Sequence, residues 1–293
     1  MNNVKKALLI TIASDTTKFG GGFRGPFKQN YEYEYIPIPE YKTKADGKTF
    51  AHYYEGEEGD ATFGKAPGNR LNKPLIESLH EAHREKLKSK AIHYDPDFKH
   101  KTYGDNPDNT RGKQVTELKP DDLLVFCPSL ENYDGSCDRG RFIIGYFTVQ
   151  QAYDFGKKDF EKEYKCTRKE IVEEYKNQNA HFSKAFARAQ WKESQEDVLR
   201  RYSKKNKYLV LIVGQRCNSG LFEKAIRLTE QPKGAHAKDY YLMRQEIVKS
   251  LGLAKEPYRL HYGRGWKWVR GKHVENLLEL FRKEGGGFHR AGQ

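Results

Sequence analysis

Two apolar segments joined by a polar connection constrain the fold of this 293-residue chain more than any other feature of its sequence. Residues 118–126 open with a Lys-Pro-Asp-Asp turn and end in Leu-Leu-Val-Phe, and residues 141–149 form a second apolar run. Short apolar runs bounded by turn residues are typical of buried strands. We therefore predict an antiparallel pair of strands connected by residues 127–140.

The rest of the chain alternates between strand and helix patterns. Strands are predicted at residues 5–13, 208–213 and 31–38, the last because Tyr alternates with Glu. Helices are predicted at residues 75–87, 167–175, 240–251 and 273–283, where apolar residues recur at helical spacing. Residues 42–73 and 91–108 are rich in turn residues and predict loops. The predicted fold class is α+β, a mixed α/β fold, with a mixed sheet or partly open β-barrel flanked by helices.

The charge of the chain points to a polyanionic partner. Fifty-three Lys and Arg against 40 Asp and Glu give a net charge of +13, and aromatic residues make up 13% of the chain. A basic surface attracts nucleic acid, and aromatic side chains can stack on bases. We therefore predict nucleic acid or a nucleotide as the partner, with a basic surface that only aids solubility as the alternative.

The cysteines and apolar runs predict a cytoplasmic protein. The four cysteines form no Cys-x-x-Cys pair and match no standard zinc spacing, which is typical of free thiols in a reducing compartment. The apolar run at residues 7–12 is too short for a signal peptide, and no run approaches the length of a membrane span. We expect no contact with a membrane.

A glycine-rich loop follows the first predicted strand and contains Gly20, Gly21 and Gly22, with Asp15 before them and Arg24 after them. Glycine lets backbone amides approach a phosphate closely, so these residues are candidates for phosphate or nucleotide binding. The loop is neither a Walker loop nor a dinucleotide-binding fingerprint, because it contains no Gly-Lys-Ser/Thr itself and the next predicted element is a strand. A plain flexible turn is the alternative.

His93, Asp95, Asp97 and Asp105 lie within thirteen positions of the sequence. In a tight loop these side chains can converge as general acids or bases, and they are the candidate catalytic residues. His93, Asp95 and Asp97 would also suit a divalent metal, the one cofactor that the residues suggest. The alternative is ordinary turn chemistry at Asp-Pro and Gly-Asp.

Further candidates for nucleotide or phosphate binding are Tyr103, Asn179, His181, Arg216, Trp266 and Trp268. Arg216 follows an apolar strand, and arginine at a strand end can clamp a phosphate with two hydrogen bonds. Trp266 and Trp268 alternate with basic residues, as in sites that stack bases, although packing of both rings on the core explains them equally well. Motifs of common hydrolases and kinases, such as Gly-x-Ser-x-Gly and His-Glu-x-x-His, are missing from the sequence.

The order of these motifs resembles the third nucleotide modification associated domain family. The resemblance rests on Tyr-Ile-Pro-Ile-Pro-Glu at residues 35–40, His-x-Asp-Pro-x-Phe at 93–98, Thr-Tyr-Gly-Asp at 102–105, Asn-Ala-His-Phe at 179–182 and Lys-Trp-Val at 267–269. The strand pair also resembles the core of PUA-like barrels. We predict one such domain over residues 1–293, with a helical insertion at about residues 156–206 and a loose tail at residues 288–293.

Two functions follow from the resemblance and the charge. The first is an enzyme that acts on nucleobases or nucleotides in DNA modification, installing, altering or removing a modified base. The alternative is a non-catalytic, PUA-like reader that binds a modified base in DNA or RNA. The resemblance implies DNA rather than RNA as the partner, and other proteins of a base-modification system as further partners.

Overall fold

The computed structural model describes residues 6–12, 24–40, 74–88, 91–107, 109–134, 138–175, 178–179, 209–230, 242–253 and 266–288. Its strands are β1 (Lys6–Ile10), β2 (Gly25–Pro26), β3 (Ile38–Glu40), β4 (Ala91–His93), β5 (Thr102–Asp105), β6 (Leu123–Phe126), β7 (Ser129–Glu131), β8 (Arg139–Asp154), β9 (Val210–Arg227) and β10 (Trp266–Arg270). Its α-helices are α1 (Glu81–Leu87), α2 (Thr110–Val115), α3 (Phe160–Tyr164), α4 (Arg168–Tyr175), α5 (Gln245–Ser250) and α6 (His273–Glu284). A 3-10 turn at Leu75–Ser78 precedes α1.

Eight of the described strands form one mixed sheet that does not close. Its order is β10-β1-β6-β8-β7-β2, and β9 pairs with β8 and with β5. The pairs β1–β6 and β2–β7 are parallel, whereas the other pairs of this sheet are antiparallel. A separate antiparallel pair joins β3 to β4. The predicted mixed α/β fold, with an open mixed sheet flanked by helices, is confirmed.

The strand pair that constrains the sequence forms the middle of this sheet. Leu123 lies opposite Thr148 and Phe126 lies opposite Gly145, so β6 and β8 are antiparallel as predicted. β8 continues to Asp154, and β9 runs beside it over 18 residues. The strand predicted at residues 208–213 is therefore only the first part of a much longer strand.

The sheet separates two layers of core. Side chains alternate along a strand, so Leu8 and Ile10 of β1 face one layer while Ala7 and Leu9 face the other. The first layer is aromatic and contains Tyr33, Tyr35, Phe98, Tyr103, Phe126, Phe142 and Phe147. The second layer is covered by α5 and α6, whose buried residues include Ile247, Val248, Val274, Leu277 and Phe281.

Three helix predictions are confirmed and one is corrected. The capping box opens α4, because Thr167 N donates to Glu170 Oε2 at 2.6 Å. Helices α5 and α6 lie within or close to their predicted ranges, and Gly252 ends α5 with φ of 58°. The predicted helix at residues 75–87 is divided into the 3-10 turn and α1. The division falls at His80, whose side chain caps the start of α1 by accepting a hydrogen bond from Ala82 N.

One strand prediction is wrong, and the observed strands β4, β5 and β10 are not predicted by the sequence. Residues 31–38 are not one strand: Tyr33 forms an isolated bridge with Phe27, and β3 begins only at Ile38. Alternation failed here because Glu34 is as buried as its Tyr neighbours. Residues 91–108, predicted as loops, contain β4 and β5, and Trp266 starts an unpredicted strand. These strands have three to five residues, too few to show a periodicity before tertiary pairing selects them.

Within the described ranges, no helix combines the length and the apolar character that crossing a membrane requires.

The Tyr33 hydroxyl ties the segment after β2 to the centre of the sheet. It lies 2.7 Å from Ile144 O and 2.9 Å from Phe222 O, and the ring is buried. We expect Tyr33→Phe to lower the free energy of unfolding by about 1–3 kcal/mol, because buried carbonyls lose their donor. Chemical denaturation measures this change. Tyr146→Phe is the matched control, since the Tyr146 hydroxyl has no hydrogen bond among the described residues, and equal losses in both variants would contradict the assignment.

Candidate functional site

An arginine on α2 joins two neighbouring elements at the carboxyl end of β1. Arg111 donates from Nε and Nη2 to the two oxygens of Asp105, at 2.6 and 3.3 Å, and from Nη1 to Thr11 O at 2.9 Å. Asp105 ends β5, whereas Thr11 directly follows β1. The guanidinium therefore fixes β5 and α2 at the point where the chain leaves β1 for the glycine-rich segment.

Asp105 is buried but surrounded by donors. Its carboxylate accepts hydrogen bonds from Tyr103 Oη at 2.8 Å, Asn106 N at 2.8 Å and Asn109 Nδ2 at 3.0 Å, besides those from Arg111. Burial by itself raises the pKa of Asp105, but the Arg111 charge and the hydrogen bonds from Arg111, Asn109 and Tyr103 together hold that pKa below its ordinary value. Asp105 is therefore an ionised, fixed anion, suited to orienting other groups.

Asp95 lies against the same strand. Its Oδ1 accepts a hydrogen bond from Gly104 N at 2.8 Å, and 7% of the residue is exposed, against 3% of Asp105. Burial raises the pKa of Tyr103 and of Tyr35 well above the ordinary range, and the Asp95 charge adds to both shifts. The two phenols therefore remain protonated donors beside Asp95. We refer to Asp95, Tyr103, Asp105 and Arg111 as the carboxylate cluster.

Asp97 has the contacts of a turn-capping residue. Its Oδ1 accepts from Lys99 N at 2.8 Å and His100 N at 3.0 Å, and its Oδ2 lies 2.7 Å from His100 Nδ1. The backbone of His93 pairs with Ile38, and the His93 side chain lies outside the described part of the structure. Among the side chains that the structure describes, no three His, Cys, Asp or Glu residues are placed to hold a metal ion.

Helix α2 connects the carboxylate cluster to the edge of the sheet. The Asn109 side chain caps it by accepting from Gly112 N at 2.7 Å. Gly112 is required here, because a Cβ would lie 1.9 Å from Asn106 O. Further along the helix, Gln114 Oε1 accepts from Trp268 Nε1 at 2.8 Å.

The edge strand β10 presents tryptophans and cations. Trp266 lies opposite Ile10 and Trp268 opposite Leu8, and both rings are half-buried against the aromatic core layer. Lys6 Nζ lies 4.6 Å and Arg270 Cζ 5.0 Å from the centre of the Trp268 ring. Both tryptophans therefore pack on the core, and Trp268 also makes cation–π contacts.

The other predicted residues have separate environments. Arg24 pairs with Glu131 at 3.0 Å beside β2 and β7, and the buried Asn179 donates to Thr102 Oγ1 at 3.3 Å. Arg216 is exposed in the middle of β9, so its predicted place at a strand end is wrong, because the strand continues through Gly214. Asp15, Gly20, Gly21, Gly22 and His181 lie outside the described residues.

Sequence reasoning missed Arg111, which connects the cluster, and Tyr35. The available signal for Arg111 is its place within the capping pattern Asn-x-x-Gly at residues 109–112, which marks a helix start beside a candidate carboxylate. Tyr35 gave no signal of its own within a run of alternating tyrosines.

A comparison with protein families decides the classification. The model of nucleotide modification associated domain 3 matches residues 6–277 of the chain. The chain belongs to this family. Neither the curated proteins nor the solved structures gave a match. In this nucleotide modification associated domain, the matched range contains the whole carboxylate cluster and both tryptophans of β10.

The low pKa of Asp105 gives a pH-dependent prediction. Its native pKa lies below the unfolded value of about 3.9, so its stabilising contribution is complete above that pH and is lost as the pH falls through the native pKa. We expect Asp105→Asn to lower the free energy of unfolding by about 1–3 kcal/mol near neutral pH. The difference from the unaltered protein should shrink below about pH 4.

Denaturation of both proteins across this pH range measures the effect. Asp159→Asn is the control, because Asp159 is exposed and its side chain makes no cap hydrogen bond. A difference between Asp105→Asn and the unaltered protein that stays constant down to about pH 2 would contradict the low native pKa.

Proposed function

We propose that this protein is an enzyme that acts on a nucleobase or nucleotide in DNA modification, installing, altering or removing a modified base. The observation that supports this most directly is the carboxylate cluster, a group of buried acids beside aromatic rings in a chain of net charge +13. Buried titratable groups held against the prevailing charge of a protein are typical of functional sites.

The residues of the cluster have different proposed roles. Asp95 is the general acid or base, because it is the more exposed residue of the two acids at this strand. Asp105 and Arg111 are positioning residues that hold β5 against α2, and the protonated Tyr103 hydroxyl helps to fix Asp105 by donating to it. The protonated Tyr35 hydroxyl, 3.4 Å from Pro96 O, is the other phenol beside Asp95.

A divalent metal remains part of the proposal through the predicted set of His93, Asp95 and Asp97. The Asp97 oxygens already accept hydrogen bonds from Lys99 N and His100, so Asp97 fits this set least well. Such a metal would supply Lewis acidity next to Asp95.

The proposed partner is DNA. A base in a duplex must leave the stack to reach a buried acid, and an aromatic edge can hold the displaced strand. Trp266 and Trp268 supply such rings beside the cluster, and Arg270 supplies an exposed cation. The glycine-rich segment with Asp15 and Arg24 keeps its predicted role in contacting phosphate, and other proteins of a modification system are further proposed partners.

A reader that binds a modified base without catalysis is the second candidate. The observation that favours it is the pair of half-buried tryptophans on an edge strand, with Lys6 and Arg270 against Trp268, because stacking needs no acid or base.

Replacing Asp95 by Asn separates the two candidates. An amide oxygen still accepts from Gly104 N, so the fold should persist while the proton-transfer group is lost. For the enzyme we expect DNA binding to be retained and the yield of altered nucleoside to fall by about 100-fold or more. Mass spectrometry of nucleosides from DNA incubated with each protein, with and without divalent metal, measures the yield.

The control for this experiment is Asp159→Asn, which should leave the yield unchanged. If the unaltered protein binds DNA that contains modified bases but yields no altered nucleoside, the enzyme is excluded and the reader is supported.

The exposed Arg270 gives a prediction about binding. Arg270→Gln should weaken binding to DNA of any sequence and reduce the slope of log affinity against log salt by about 1, because one phosphate contact is lost. Fluorescence anisotropy with a labelled oligonucleotide over a series of salt concentrations measures the slope. Arg282→Gln, at an exposed arginine of α6, is the matched control. Equal slopes for the two variants would remove β10 from the proposed interface.

A further inference from the structure

Tyr31 has a backbone conformation that favours glycine. Its φ is 64°, in the left-handed region that bulky residues seldom occupy. Lys28 O accepts from Tyr31 N at 2.9 Å, and Tyr31 O accepts from Ala225 N at 2.9 Å, so the turn is fixed to β9 by backbone atoms alone. Glycine would make both hydrogen bonds without strain, and the turn therefore does not explain why a tyrosine stands here.

The tyrosine ring is supported by the core yet open to solvent. Its centre lies 6.2 Å from the Phe27 ring at an angle of 15°, and 6.2 Å from the Phe142 ring. Tyr31 is 38% exposed, and among the described residues it is the one large hydrophobic side chain that is exposed. A supported, open ring of this kind is suited to stacking against a planar ligand.

Tyr31 lines a cavity of about 720 Å³, which is within the usual size of small-molecule sites. One wall is rigid: Arg227 donates to both oxygens of Asp138, at 2.9 and 2.8 Å, and from Nε to Thr229 O at 2.9 Å. The Arg227 guanidinium lies 5.2 Å over the Phe142 ring, next to Tyr31. The cavity is therefore shaped by groups that already have their partners.

The charge of the cavity favours a ligand with hydrogen bond donors. Glu230, Glu246 and Glu284 line it, and Arg244 is shared between Glu246 at 2.6 Å and Glu284 at 3.8 Å. The Glu230 carboxylate has no hydrogen bond or ion pair with any residue that the structure describes. A phosphate would be repelled inside this cavity, whereas an amino group could donate to Glu230.

We infer that this cavity binds a nucleobase, whose flat face stacks on Tyr31 and whose amino edge donates to Glu230, with sugar and phosphate left outside. The choice of a nucleobase over another planar amine rests on the proposed function. None of the residues that line the cavity belongs to the carboxylate cluster, so this is a second site. Adenine, cytosine and guanine carry the amino group that it requires, and thymine does not.

The experiment measures binding of deoxyadenosine, deoxycytidine, deoxyguanosine and thymidine to the full chain by calorimetry and saturation-transfer NMR. At least one amino-bearing nucleoside should bind more tightly than thymidine. Tyr31→Gly should weaken that binding by about tenfold or more, because the stacking ring is lost. The melting temperature of this variant should stay unchanged or rise, because glycine relieves the strain.

Tyr31→Phe is the matched control and should keep the affinity, because it keeps the ring. Tyr31→Asn, a residue tolerated at positive φ, repeats the loss of the ring with a different side chain. Glu230→Gln should reduce the preference over thymidine.

Two results would overturn the inference. The first is that no deoxynucleoside binds. The second is that Tyr31→Gly and Tyr31→Asn keep the affinity while lowering the melting temperature, which would make Tyr31 a packing residue. Altered nucleoside that depends on Asp95, without any nucleoside binding at Tyr31, would support the proposed enzyme and contradict the nucleobase site. Nucleoside binding that depends on Tyr31, without any altered nucleoside in the DNA, would support the nucleobase site and contradict the proposed enzyme.

Discussion

The pairing of β8 with β9 is the constraint on which the rest of the structure depends. These strands have 16 and 18 residues. The other strands of the large sheet are attached to this pair: β6 and β7 pair with β8, β5 pairs with β9, and β1 pairs with β6. Register shifts near Gly145 and Val149 let this long pair bend. Gly145 allows the close approach, because a Cβ there would lie 2.1 Å from Gly220 O.

That frame explains how acids can be buried in a basic protein. Because β5 is held on β9, Asp105 lies below the surface, where a lone carboxylate would be costly. Arg111 and the neighbouring donors offset this cost, and the same contacts attach α2 to the end of β1. The carboxylate cluster is therefore part of the packing as well as the proposed site, so removing its charges affects both stability and chemistry.

The two proposed sites have different physical origins. The carboxylate cluster combines buried charge with fixed hydrogen bonds at the carboxyl end of β1. The Tyr31 cavity instead combines an exposed ring with a backbone conformation that a glycine would adopt more easily. Packing does not readily explain backbone strain at an exposed aromatic residue such as Tyr31. A buried ion pair such as Asp105–Arg111, by contrast, also occurs in proteins for purely structural reasons.

The sequence by itself determined the long, strongly patterned elements: the β6–β8 pair, β1, the capping box of α4 and the amphipathic helix α6, and with them the mixed α/β class. The local pattern suffices there, because each of these elements is an apolar run bounded by turn residues, a capping motif or a helix with an apolar face. Only the tertiary structure decided β4, β5 and β10, which are too short to show a period, and the exposed place of Arg216 within a longer strand. The tertiary structure alone brought the acids of the carboxylate cluster close to Trp268. Helix α2 makes this connection, because Arg111 donates to Asp105 while Gln114 accepts from Trp268, more than 150 positions away in the sequence. No sequence spacing encodes these hydrogen bonds.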